Sequence, residues 1–138
     1  MDAAIARAIV SIPAVKAVSI GSGVENASKK GSEVHDPISY DKDARGFIRA
    51  SNNAGGLEGG VTNGEPVVVK GFMKPIATLQ NPLMSVDMGT MKESKAAVER
   101  GDVCAVPACS VVAESVIAIE MASMFLKKFG GDSMAEIE

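Results

Sequence analysis

The sequence predicts an α+β fold, and three observations carry that prediction. Residues 2–12 place Ile5, Ala8, Ile9 and Ile12 on one face at helical spacing. Residues 66–73, PVVVKGFM, form a β-branched run bounded by turn residues, the clearest strand in the chain. Pro107 opens a long apolar helix that runs to Phe129. Helices and short strands alternate without the regular spacing of a doubly wound parallel sheet, which separates α+β from α/β.

The first helix is expected over 2–12, with Asp2 as a candidate N-cap and Pro13 as its stop. Because these residues already read as the middle of a helix, the chain is expected to begin inside a larger fold. Residues 14–21 follow as a strand in which Val18 and Ile20 alternate with Ala17 and Ser19. Residues 21–46 are rich in Gly, Ser, Lys and Asp and read as one long exposed loop with room for a hairpin. Short strands are expected at 47–50 and 83–88, and a short helix or turn at 94–99. The helix from Pro107 should end at Gly130 and Gly131. Its apolar residues leave little polar face, so Val112, Val116 and Ile119 are expected to be buried.

Composition narrows the function. The 138 residues fit one domain, and 46% of them are hydrophobic, enough for a core. Net charge is −3 with mixed signs, no basic run and no tryptophan, which argues against a nucleic-acid partner. Cys104 and Cys109 are the only cysteines, and with no second ligand pair they give no zinc site and no metal is expected. Reduced thiols suit a cytoplasmic protein. The first ten residues lack the charged n-region of a signal peptide. Glu114 and Glu120 make residues 103–126 a poor membrane span, so no membrane partner is expected.

Residues 51–66, SNNAGGLEGGVTNGEP, hold five glycines between Asn52 and Glu65. Tight turns are one reading, since Asn63-Gly64 alone signals a hairpin. Close packing is another. A ligand-facing loop is the third, because glycine admits positive φ and lets a flat group approach the backbone. The pattern is neither G-x-G-x-x-G nor a P-loop. After the 66–73 strand comes KPIAT (74–78), a lysine, a proline-fixed turn and a hydroxyl, suited to an anionic or polar ligand. Further on, Arg100, Gly101 and Asp102 stand just before the long helix. They read as a surface ion pair or as a cation beside a proton-handling carboxylate.

Together these stretches are distinctive. SNNAGGLEGGVTNGEP, then KPIAT, then ERGDVCAVPACSVVAESV (99–116) closely resemble the C-terminal part of the chorismate synthase family. The resemblance runs from IPAVKAVSIGSG (12–23) to KKFGGDS (127–133). Residues 1–138 match the last third of the family's sequence, with its N-terminal part absent. The resemblance implies a β-α-β layered sandwich with the long C-terminal helix buried. It implies a 1,4-trans elimination of phosphate from 5-enolpyruvylshikimate 3-phosphate to give chorismate, the last step of the shikimate pathway. It also implies reduced FMN as cofactor, a homotetramer and a cytoplasmic location. In the family account flavin lends electron density to the departing phosphate side, and its N5 takes part in accepting the proton.

Carried over by motif, Pro13 and Ala14 match a flavin-contacting pair, and Gly59 the flavin-contacting glycine. Lys74, Pro75, Ile76, Ala77 and Thr78 match the flavin-binding loop. Arg100 matches a further flavin and substrate contact, and Asp102 an aspartate that works with flavin N5 in proton removal. Three positions depart from the family pattern: Gly101 stands where Ser, His or Phe is usual, Cys109 where a small residue is, and Met84 where the nearest relatives are expected to have arginine. His35, the single histidine, matches neither family catalytic histidine and reads as a solvated loop residue. The chain alone is accordingly expected to be inactive and to self-associate. A non-catalytic oligomerising piece is one alternative, separated from an active enzyme by the flavin affinity of the isolated chain. An unrelated phosphate-binding module is the other, marked by anion binding without flavin selectivity.

Overall fold

A computed structural model describes residues 1–43, 46–99, 101, 103–130 and 133–136. Helix α1 (Asp2–Val10) buries Ile5, Ala8 and Ile9, the face its periodicity marks. Asp2 is the first helical residue and does not cap the helix; its carboxylate lies in the first turn, where the dipole favours it. The helix closes at Ser11, whose N–H reaches the Arg7 carbonyl at 3.0 Å, two residues ahead of Pro13.

Strand β1 (Val15–Ile20) pairs antiparallel with a partner far along the chain, residues Val69–Met73. That pairing sets Val15 opposite Met73 and Ile20 opposite Val69, with an irregularity between Val15 and Ala17. Ile5, Ile9, Ile12, Val15 and Leu57 form the buried cluster where α1 meets this ribbon. The strand expected over 66–73 starts only at Val69. Val68 is still bonded, but to the glycine segment: its N–H donates to Gly55 and its carbonyl accepts from Gly21.

The long loop expected over 21–46 carries more structure than its composition suggests. It contains a 3-10 turn (Gly23–Ser28), the single-turn helix α2 (Gly31–Val34) and β2 (Ile38–Asp41). β2 forms a hairpin with β3 (Gly46–Arg49), setting Tyr40 opposite Phe47 with their rings edge to face at 5.4 Å. In the glycine segment, β4 (Leu57–Glu58) pairs with β5 (Val61–Thr62). Their turn is Gly59–Gly60, both at positive φ, as a tight hairpin of this hand requires. Asn63-Gly64 follows the hairpin and does not form its turn.

With the Val69–Met73 strand as β6, β7 (Met84–Asp87) pairs with β8 (Lys92–Lys95). The short helix or turn expected from Ser94 is corrected accordingly, since Ser94 lies in β8. The sequence KESK has no alternating apolar signal; the hairpin is closed by Asp87, whose Oδ1 accepts the N–H groups of Gly89 and Thr90, both at 2.8 Å. Those bonds hold the Asp87 carboxyl below its ordinary range.

Helix α3 (Val106–Phe129) has Pro107 in its first turn, Lys127 and Lys128 in its last, and ends before Gly130; Gly131 lies outside the described residues. Cys109, Ala113, Val116, Ile117 and Met121 line the face that packs on the core, and Glu120 accepts from Arg7 at 2.7 Å. The expected burial of Val112 and Ile119 is corrected: they are 46% and 68% exposed. Val116 is half-buried. The chain supplies a surface for one side of α3 only, and a helix apolar all round then leaves its other side uncovered. By length and composition alone α3 is apolar enough to cross a membrane, its two glutamates notwithstanding, a test that the core helix of a soluble protein also passes.

Candidate functional site

The antiparallel register of β1 and β6 brings together two stretches sixty residues apart. Because Val15 faces Met73, the residues just outside that pair meet: the Ala14 carbonyl accepts the Lys74 N–H at 2.8 Å. Ala14 holds φ at +69°, a left-handed backbone that residues with a Cβ rarely adopt. Strain of this kind costs about 1–3 kcal/mol and concentrates where a ligand is held.

From Lys74 the chain turns through Pro75, and a groove of about 850 Å³ opens beside it. Pro75, Ile76 and Thr78 line one wall, and Val98, Gly101 and Val103 the other. The two walls come near each other at Gly101: a Cβ there would lie 3.6 Å from Ile76 Cγ2 and 3.8 Å from Thr78 Cβ. Those are ordinary contact distances, so a side chain at 101 is sterically admissible and the glycine is not demanded by space. Arg100 and Asp102 flank this point in sequence; both lie outside the described residues. Lys74, Pro75 and Ala77 are exposed. The groove thus offers apolar surface at Ile76, Leu79, Val98 and Val103, with the Thr78 hydroxyl, the Gln80 amide and the Glu99 carboxylate as its polar lining; Lys74 precedes it in the chain.

Gly59 is on a separate element, the β4–β5 turn. It is exposed, at φ +59°, and a Cβ built on it would meet nothing within 4 Å. Space of that kind lets another group come up against the backbone. Pro13 is exposed beside Ala14. His35 is exposed at the end of α2, Met84 is exposed on β7, and Cys104 and Cys109 are free thiols. A second cleft of about 410 Å³, lined by Ile9, Val69, Met73, Ala113 and Ile117, lies between β6 and α3. Ser110 and Glu114 are its polar lining, and it reads as a packing gap rather than a site.

Three residues that hold the glycine segment escaped the sequence reading. Asp36 Oδ1 accepts from Ser51 Oγ at 2.6 Å and from the Asn53 N–H at 2.7 Å, while its Oδ2 accepts from the Ala54 N–H at 2.9 Å. Desolvation pushes the Asp36 carboxyl up, but the bonds from Ser51, Ala54 and Asn53 and the nearby Arg49 cation outweigh it and hold the group below its ordinary value. Asn52 Oδ1 accepts the Gly56 N–H and Asn52 Nδ2 donates to the Pro66 carbonyl. Arg49 donates to the Glu58 carboxylate and to the Asn63 carbonyl. Only Asn52, just ahead of Ala-Gly-Gly, carried a readable signal, that of a side chain suited to closing a turn.

The comparisons with known proteins agree with one another. The family model described as chorismate synthase matches residues 1–126. The chorismate synthase of Geobacter metallireducens is 59% identical over 99% of this chain and 36% of its own length. That of Geobacter sulfurreducens is 54% identical over the same shares. A crystal structure of chorismate synthase superposes with a TM-score of 0.72 at 41% identity, over 99% of this chain and 32% of that one. The chain therefore spans about a third of the length of the curated relatives it matches.

Proposed function

The chain belongs to the chorismate synthase family, and on that premise we propose that the full-length protein is a chorismate synthase. In this reading it is a lyase that eliminates phosphate and a proton from 5-enolpyruvylshikimate 3-phosphate, with reduced FMN, in a cytoplasmic homotetramer. The observation that carries the reading is the junction of Ala14 with Lys74, followed in the chain by the groove that Pro75, Ile76 and Thr78 line with Val98, Gly101 and Val103. Two stretches that the motif match relates to flavin contacts, 13–14 and 74–78, are joined at that junction, although nothing in their sequence spacing required it.

The residues fit such a cofactor. Apolar walls at Ile76 and Val103 suit an isoalloxazine ring, Thr78 and Gln80 suit its polar groups, and Lys74, exposed at the start of the loop, suits an anionic one. Pro75 fixes the turn, so the loop loses little entropy on binding. Gly59 offers open backbone to whatever lies over it, ring or neighbouring subunit. Reduced flavin, when bound, supplies electron density to the departing phosphate side. Arg100 holds the anion of flavin or substrate, and Asp102 takes part in handling the proton that leaves. The uncovered flanks of α3 and of the two outer hairpins are the surfaces that the rest of a full-length chain and its neighbours would cover.

The test is kinetic, in the full-length protein with reduced FMN in excess. Asp102→Asn keeps size and much of the hydrogen bonding but cannot accept a proton, so turnover should fall by about 10²–10⁴-fold with little change in substrate binding. Arg100→Ala should weaken binding as well as rate, because a charge-assisted contact acts in the ground state too. Near-normal turnover in Asp102→Asn would remove the role given to Asp102.

A further inference from the structure

Asp36 lies in the turn between α2 and β2, and the reading of the groove gives it no part. Its carboxylate nevertheless gathers three donors from one short stretch of the glycine segment, Ser51 Oγ and the N–H groups of Asn53 and Ala54. An ionised carboxylate suits that task because it accepts at both oxygens and donates at neither. The same stretch is tied on its other side to the end of β1: the Ser22 N–H donates to the Asn53 carbonyl at 2.9 Å, and Ser22 Oγ to Asn53 Oδ1 at 3.0 Å.

Between this clamp and Gly59 stand four residues, and each is held. The Gly55 N–H donates to the Asn52 carbonyl at 3.1 Å, and the Gly56 N–H to Asn52 Oδ1 at 2.8 Å. Leu57 is sunk in the core at 6% exposure. The Glu58 carboxylate accepts from Arg49 and from Asn63, both at 2.7 Å. A displacement at Ala54 therefore has no slack segment to absorb it before the Gly59–Gly60 turn.

We propose that Asp36 is a positioning residue for the cofactor: through Asn53 and Ala54 it fixes where the Gly59 backbone stands. The proposal rests on the flavin reading of Gly59. It makes the segment ahead of β2, polar and outside the groove, a determinant of flavin affinity.

The experiment measures FMN binding to the full-length protein by fluorescence, with thermal melting of the flavin-free protein alongside. Asp36→Asn turns one acceptor into a donor facing an N–H, and should raise the FMN Kd by about tenfold or more while the flavin-free protein still melts cooperatively. A lowered melting temperature with the Kd of the folded protein within about twofold of wild type would make Asp36 merely structural and overturn the proposal. If Asp36→Asn does not fold, Ser51→Ala removes one of the three donors. It should raise Kd by about threefold, and an unchanged Kd overturns the proposal equally. Wild-type protein that binds no FMN would instead bring down the flavin reading itself.

Discussion

Gly55–Gly56 and Gly59–Gly60 are the same dipeptide four residues apart, all four glycines at positive φ, and they serve opposite ends. At Gly55 a Cβ would come within 2.3 Å of the Gly21 nitrogen, and at Gly56 within 2.5 Å of the Pro66 carbonyl oxygen. Backbone from the end of β1 and from the approach to β6 passes where side chains would be. At Gly59 the same missing atom leaves open space. The first pair is needed for what already touches it, and the second is available for something that can. Composition treats the pairs alike; their neighbours separate them.

That comparison can be broken at either end. Gly55→Ala in the full-length protein combines a disfavoured φ with a clash against backbone, which cannot rotate away. It should destabilise by about 3 kcal/mol or more, read by denaturant unfolding with and without FMN. A loss below about 1 kcal/mol would mean that the contact with Gly21 yields easily, and the packed pair would not differ from the open one.

Gly59→Ala should cost only the conformational strain, about 1 kcal/mol, because no neighbour stands in the way. Its larger consequence should fall on binding, with the FMN Kd raised by about tenfold. If stability falls as far as in Gly55→Ala while Kd is unchanged, the open pair is structural too.

The smallest effect sharpens the contrast by way of pH. The folded-state pKa of Asp36 lies below its ordinary value of 3.8. Its contribution to stability is therefore fully present above that value and is lost as pH falls through the lower, folded one. Compared with Asp36→Asn in thermal melts, wild type should hold its advantage from neutral pH to about pH 4 and lose it below. A gap independent of pH would show that the charge of Asp36 is not what holds Asn53 and Ala54.

Much of this molecule was legible in local chemistry. The α1 face, the β1 strand, the core of β6 and the limits of α3 follow from periodicity, β-branching and the placement of Pro13, Pro107 and Gly130. These are decided within a turn or two of chain, where a residue's neighbours in sequence are also its neighbours in space. The glycine segment, KPIAT and the residues before α3 were recognisable as motifs in a set order, which named candidate contacts without saying which of them meet.

The tertiary structure decided the rest, because the deciding partners are distant in sequence. Ser94 entered a strand because Asp87 closes the turn ahead of it, not because KESK favours extension. Ala14 reached Lys74 only through the β1–β6 register. Asp36 became the anchor of the glycine segment through donors 15 to 18 residues away. Val112 and Ile119 stayed in solvent because hydrophobicity shows that a face prefers cover, while cover itself must come from another surface.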